Sequence, residues 1–268
     1  MPSLDLHTHL FDEPGYADAL AETARALGFD AMCLGGGSSR YGLADNETVL
    51  QQTDTYPDLF LPVGTLDLRR AEPKQVEDLA DAGFACLKVM APPERYDSSR
   101  FFPIYEAAQA LELPIMFHTG YLPRTPMDAA LDIRCEQMRP VYLDAVARRF
   151  PRLKIVGTSL AYPWCVEAVE TMRHNPNVYF DLSGNLLDRK DPAFFRDAFG
   201  SGRDAAIGAR QRQPIWAQVA FGSAVKAEHI EGVERDYRRL FRSLALDEQI
   251  REAVMGGTAR KLLSRRNR

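Results

Sequence analysis

Apolar and polar positions along this chain switch repeatedly between two periods. Short runs rich in β-branched and aromatic residues are each followed by a longer amphipathic stretch, the pattern of repeated strand–helix units. Strands are predicted at residues 4–9, 31–34, 59–65, 85–90, 115–118, 154–159, 178–182 and 218–222. Helical patterns cover residues 16–27, 47–54, 73–82, 103–111, 138–150, 164–173, 192–199 and 227–244, with a last helix over 246–263. Eight such units in 268 residues, without a break in composition, predict one α/β domain spanning 1–268. Its expected form is a closed but distorted parallel (β/α)8 barrel, the TIM barrel, with an extra C-terminal helix. An open doubly wound sheet is the competing pattern, but no Gly-rich phosphate turn follows the first strand.

A barrel of this kind carries its chemistry at the C-terminal ends of the strands. His7, His9, Lys88, His118, Ser159, Asp181 and Ser223 all fall there. In Asp5-Leu6-His7-Thr8-His9 strand alternation sends Asp5, His7 and His9 to one face. Paired imidazoles on one rigid element suit a divalent metal, and His118 ends another strand. Only five histidines occur in the chain, so three at strand ends of one barrel point to a shared ion. Histidines satisfied separately by backbone groups would instead need three distinct partners. Of the others, His174 reads as a helix-end residue and His229 as a surface one. The segments at 35–42, 119–137 and 183–216 are long, which is where substrate recognition is expected.

Composition narrows the classes. Apolar residues make up 46% and charged residues 26%, with a net charge of −4, ordinary for a globular chain with a full core. That balance gives no reason to expect nucleic acid or a membrane surface as partner. The basic end, Arg260-Lys261 and Arg265-Arg266-Asn267-Arg268, reads as a solvated helix terminus. No run is long enough to span a bilayer, and the first strand leaves no room for a signal peptide. Cys33, Cys86, Cys135 and Cys165 form no CxxC pair, so a reducing cytoplasm is the expected compartment.

The ordered motifs resemble those of the amidohydrolase superfamily, in its amidohydrolase-related branch of hydrolases and decarboxylases. His7-Thr8-His9 resembles the strand-one HxH, and Gly83-Phe84-Ala85-Cys86-Leu87-Lys88 the strand-four segment. Leu113-Pro114-Ile115-Met116-Phe117-His118-Thr119-Gly120 resembles the strand-five histidine segment. Pro151-Arg152-Leu153-Lys154-Ile155-Val156, then Pro163-Trp164, is similar to strand six, and Asn177-Val178-Tyr179-Phe180-Asp181-Leu182-Ser183-Gly184 to strand seven. Gly256-Gly257-Thr258-Ala259 and Leu262-Leu263 resemble the closing motif.

Two departures stand out. Ser159 occupies the place of the family's strand-six histidine, and Ala224 that of its strand-eight aspartate, in Phe221-Gly222-Ser223-Ala224. The resemblance implies one divalent metal, zinc first and manganese next, held by His7, His9 and His118 with a water completing a tetrahedral site. What is missing is the base that orients the water, a role typically worth about 10²–10⁴-fold in rate. Ser159, Asp181 and the Ala224 position are the candidates for catalysis. Asp181 has two readings, a carboxylate bonded to loop amides or a catalytic group. Asp5, deeper in the barrel, suits a partner to an imidazole N–H.

Lys88 is expected to contact substrate, with a carboxylated bridging ligand as the alternative. Arg40, Arg124, Arg134 and Arg212 flank the expected mouth, and of these Arg40 and Arg134 are the candidates for a substrate carboxylate. Tyr121 and Tyr162 would line an aromatic-friendly pocket, while Trp164 would pack at the start of the sixth helix. These features point first to a metal-dependent hydrolase of a small, carboxylated molecule. A decarboxylase or other C–C lyase, and a catalytically impaired binding barrel, are the alternatives. The resemblance leaves an oligomer open, since no outward stripe on the helices decides it.

Overall fold

The computed structural model describes residues 3–199 and 215–264. Arg212 and the tail of Arg265, Arg266, Asn267 and Arg268 lie outside the described residues. All eight β-rich runs become strands: β1 (Ser3–His9), β2 (Phe29–Gly35), β3 (Phe60–Leu66), β4 (Cys86–Val89), β5 (Ile115–Phe117), β6 (Ile155–Gly157), β7 (Val178–Asp181) and β8 (Val219–Ala220). They stand in sequence order, each parallel to its neighbours. Two main-chain bonds return the last strand to the first. Leu6 N–H donates to the Phe221 carbonyl at 3.0 Å, and Ala224 N–H to the His7 carbonyl at 2.8 Å. The sheet is thereby nearly closed on itself, as the repeated units predict.

The helices alternate with these strands: α1 (Tyr16–Ala26), α2 (Asn46–Thr55), α3 (Pro73–Asp81), α4 (Phe102–Ala110), α5 (Val141–Arg149), α6 (Cys165–His174), α7 (Leu186–Arg189), α8 (Pro192–Phe199), α9 (Ile230–Ser243), α10 (Glu248–Glu252) and α11 (Thr258–Leu263). Local chemistry starts several of them. The Asp45 carboxylate accepts Thr48 N–H at 2.9 Å ahead of α2. Pro73 opens α3, where its missing N–H costs nothing. The four-residue α7 has no counterpart in the sequence pattern, being too short to show a period. The expected last helix is broken into α10 and α11 by a wider turn over Ala253–Gly257. There the Val254 carbonyl accepts Phe221 N–H at 2.8 Å, which takes it out of the helical ladder, and Gly256-Gly257 favours the irregular backbone.

Inside the barrel Cys33, Val63, Cys86, Met116, Val156 and Tyr179 pack together, joined by Ala259 and Leu262 from α11. Lys154, just before β6, donates to the carbonyls of Leu262 at 2.8 Å and Ser264 at 2.7 Å. The chain end therefore covers the N-terminal face and leaves the opposite mouth open. Among the described residues no helix is long and apolar enough to cross a membrane, and the four cysteines are free.

Two positions show how tightly the interior is specified. A Cβ on Gly157 would lie 2.1 Å from a Phe180 ring carbon, so β6 needs glycine to pass under that ring. Gly157→Ala is expected to cost on the order of 2 kcal/mol, a fall in melting temperature of roughly 4–8 °C by thermal denaturation. Asp5 is fully buried. Its Oδ1 accepts N–H bonds from His7 (2.9 Å) and Ser223 (3.1 Å), while Oδ2 has no hydrogen-bond partner. Burial pushes its carboxyl up from 3.8 to about 7, against those bonds. The unfolded chain releases this proton first, so the group's contribution to stability is lost as pH rises from about 4 to about 7. Chemical denaturation across that range should show a more positive pH slope of stability for Asp5→Asn than for the wild type; equal slopes would refute the assignment.

Candidate active site

The mouth is built around His7, buried at the end of β1. Its Nδ1 lies 2.8 Å from Asp181 Oδ2 and its Nε2 lies 2.8 Å from Lys88 Nζ. Gly222 makes the first contact possible. A Cβ there would stand 2.9 Å from the Asp181 Cβ and 3.0 Å from the His7 Cβ, so a side chain would push β1 and β7 apart. Lys88, 1% exposed, also approaches His9 Nδ1 at 3.5 Å. The two imidazoles meet edge to face with centroids 4.9 Å apart. His118 sits at the end of β5, its Nε2 3.4 Å from the Tyr121 carbonyl and its own carbonyl accepting the Tyr96 hydroxyl at 2.7 Å.

Asp181 bonds loop amides, as one reading of its sequence position expects, and the His7 ring as well. Its Oδ1 accepts the amide N–H of Ser159 (2.6 Å) and Ser183 (3.0 Å), while Oδ2 holds the imidazole. Burial opposes its charge, but His7 and the bonds from Ser183 and Ser159 outweigh it and hold the carboxyl below the usual range. An ionised Asp181 places the His7 proton on Nδ1 and leaves Nε2 as the acceptor that Lys88 meets.

Removal from water lowers the affinity of the three histidines for a proton. His7 is lowered by burial and by Lys88, against Asp181. His9 is held well below the usual value by burial, then by Lys88 and the other two imidazoles. His118 is lowered to about 3 by burial, then by Lys88 and His7. Burial likewise brings the Lys88 ammonium down to about 7, with Asp181 pulling the other way.

Ser159 reaches this cluster in a way its residue type does not announce. Ser159, Leu160 and Ala161 all have left-handed backbone, with φ of 53°, 43° and 52°. Such a run is costly for L-residues, and here it turns the Ser159 N–H onto Asp181. The Ser159 hydroxyl lies 2.9 Å from that of Ser183, which is 3.4 Å from His7 Nδ1. Ser183 carries no signal of its own in the sequence beyond sharing a strand face with Asp181. Tyr237, equally unmarked, accepts Leu182 N–H at 2.9 Å and braces the end of β7. Ala224 is also left-handed, at φ 49°, and offers the site only a methyl group.

A divalent ion would need free donor atoms converging on one point. Both His7 nitrogens are engaged, one His9 nitrogen faces Lys88, and the β8 position lacks a carboxylate. Among the described residues no three His, Cys, Asp or Glu side chains converge to hold a metal. In this arrangement the residues share the mouth but do not fit as a ligand set.

The arginines stand apart from the cluster. Arg134 is exposed and paired with Asp132 at 2.8 Å, and Arg124 is exposed on the same long segment. Arg40 stacks on Tyr41 at 4.8 Å and lines a cavity of about 730 Å³ with Asp45, Asn46, Asp67 and Arg69. That cavity opens beside the strand ends but includes none of the histidines. Tyr121 stacks on Trp164 at 5.4 Å, where Trp164 starts α6, and Tyr162 lies under Arg189 and Lys190. His229 is exposed ahead of α9, and His174 ends α6 with Glu170 as its neighbour.

Comparison with known proteins agrees with the fold. An uncharacterised TIM-barrel protein from Bordetella bronchiseptica superposes with a TM-score of 0.75 at 20% identity, covering 98% of each chain. A probable 2-pyrone-4,6-dicarboxylic acid hydrolase from Acinetobacter baumannii, with citric acid bound, gives 0.65 at 12% identity over 98% of this chain and 99% of its own. A 5-carboxyvanillate decarboxylase from Novosphingobium aromaticivorans, complexed with manganese and 4-hydroxy-3-methoxy-5-nitrobenzoic acid, gives 0.63 at 13% identity over 98% and 97%. No curated protein matches the sequence. The amidohydrolase family model matches residues 5–265, and the chain belongs to that family of metal-dependent hydrolases and decarboxylases.

Proposed function

We propose that this barrel hydrolyses a small, carboxylated molecule at the mouth formed by His7, Lys88, His9, His118 and Asp181. The observation that carries the reading is the His7–Asp181 pair, an imidazole held by a buried, ionised carboxylate at 2.8 Å. Such a pair is a general base whose orientation is set in advance. When a substrate oxygen draws the N–H of Lys88, Nε2 of His7 is released to accept the proton of a water. Asp181 then balances the charge that develops on the ring. Ser159 and Ser183 hold Asp181 in place through their amides, so both act by positioning.

The similar structures support the choice of substrate class, since one is a probable hydrolase of a dicarboxylic acid and another was solved with a benzoic acid derivative. The manganese in the latter supports a divalent metal in sites of this family. Arg40, in the cavity beside the mouth, and Arg134, paired with Asp132, are the loop candidates to meet a substrate carboxylate.

One observation favours a second reading. Ala224 leaves no carboxylate to deprotonate water at the end of β8, and decarboxylation of an aromatic acid needs no such step. Product analysis separates the two: acid release from lactones and amides, or bicarbonate from aromatic acids.

Turnover of a panel of carboxylated lactones and amides should fall by about 10²–10⁴-fold in His7→Ala, with the far-ultraviolet circular dichroism unchanged. An unaffected rate would remove His7 from the chemistry and the reading with it.

A further inference from the structure

The geometry points to Lys88 standing in the place of the divalent cation, its Nζ seated between His7 and His9 to receive the anionic oxygen of a carboxylated ligand. This rests on the mouth being the active site, and it goes on to say what cation the site uses.

Lys88 Nζ lies 2.8 Å from His7 Nε2, on the only lone pair that this imidazole has free once Asp181 holds Nδ1. An ion bound to that nitrogen at about 2 Å would need the same lone pair. The lysine N–H and a metal cannot both occupy it. His9 turns Nδ1 toward the same amino group at 3.5 Å, so both members of the strand-one pair face the lysine.

The donor set around the seat is poor in anionic ligands. At the end of β8 Ala224 gives a methyl in place of an anionic ligand, and at the end of β6 Ser159 spends its N–H on Asp181 and its hydroxyl on Ser183. Asp181 is spent on His7 Nδ1 and on two amides, so no carboxylate faces the seat itself, which offers Lys88 only imidazole lone pairs. From behind His7 the Asp181 carboxylate matches the single charge of the ammonium.

One donor of Lys88 is unspent among the described residues. A lysine ammonium has three N–H groups, and Lys88 has two hydrogen-bond partners among the described residues, both imidazoles. At 1% exposure the remaining donor is withdrawn from bulk water. A buried ammonium of this kind is completed by an anionic oxygen, and a carboxylate is the small anion that also fits the neighbouring imidazoles.

The test uses the purified wild type and two variants, with benzoate as a weakly chelating carboxylate probe. Elemental mass spectrometry of the wild type, before and after incubation with zinc or manganese and desalting, should find far less than one equivalent of metal. Calorimetry should show benzoate binding weakened about ten- to hundredfold in Lys88→Met, with partial recovery in Lys88→Arg. Circular dichroism establishes that each variant is folded, and Lys88→Arg alone decides the matter if Lys88→Met is not. About one equivalent of chelator-removable metal in the wild type would overturn the proposal, as would benzoate affinity unchanged on loss of the amine. A wild type that binds benzoate through Lys88 yet hydrolyses nothing sinks the hydrolase reading and leaves this one standing. Hydrolysis by a fully metallated wild type does the reverse.

Discussion

The arrangement of the mouth depends on one imidazole held from both sides. His7 is bonded through Nδ1 to a carboxylate and through Nε2 to an amine, all three groups buried at the end of the barrel. Each partner alone would be costly there, because a single buried charge loses its hydration without compensation. Together they form a chain of opposite charges bridged by a polarisable ring. The same burial that makes the chain necessary also lowers the proton affinity of the histidines and of Lys88, leaving the imidazoles neutral and able to accept.

The barrel supplies the rigidity that this chain needs. Its three members come from β1, β4 and β7, and Asp181 is 174 residues from His7 in sequence. Parallel strands locked in register bring such distant positions to one height, and glycine at 222 removes the side chain that would separate them. Ser159 and Ser183 then fix the carboxylate by amide bonds from two loops. The left-handed turn at Ser159–Ala161 is strain held in place by those bonds at the site itself.

Much of the fold was legible in the chain. Eight strands and their order follow from the repeated change of hydrophobic period, and the observed strands fall within a few residues of the predicted ones. Failures came where tertiary contacts overrode local pattern. The last helix breaks because Phe221 takes a carbonyl from it, which no periodicity of that segment records. At the site, His7, Lys88 and Asp181 were legible as strand-end residues. Their mutual bonding was not, since it depends on which face each strand turns inward and on the depth of each side chain.

What the sequence alone determined, then, is the barrel, the family motifs and the polar residues at the strand ends, because period, order and residue type are local properties. Only the tertiary structure decided that Lys88 lies against His7 and His9, that Ser159 serves Asp181 through its main chain, and that Arg40 and Arg134 stand apart from the histidines. Those are matters of distance between remote segments, set by strand register and by the space that Gly157 and Gly222 leave.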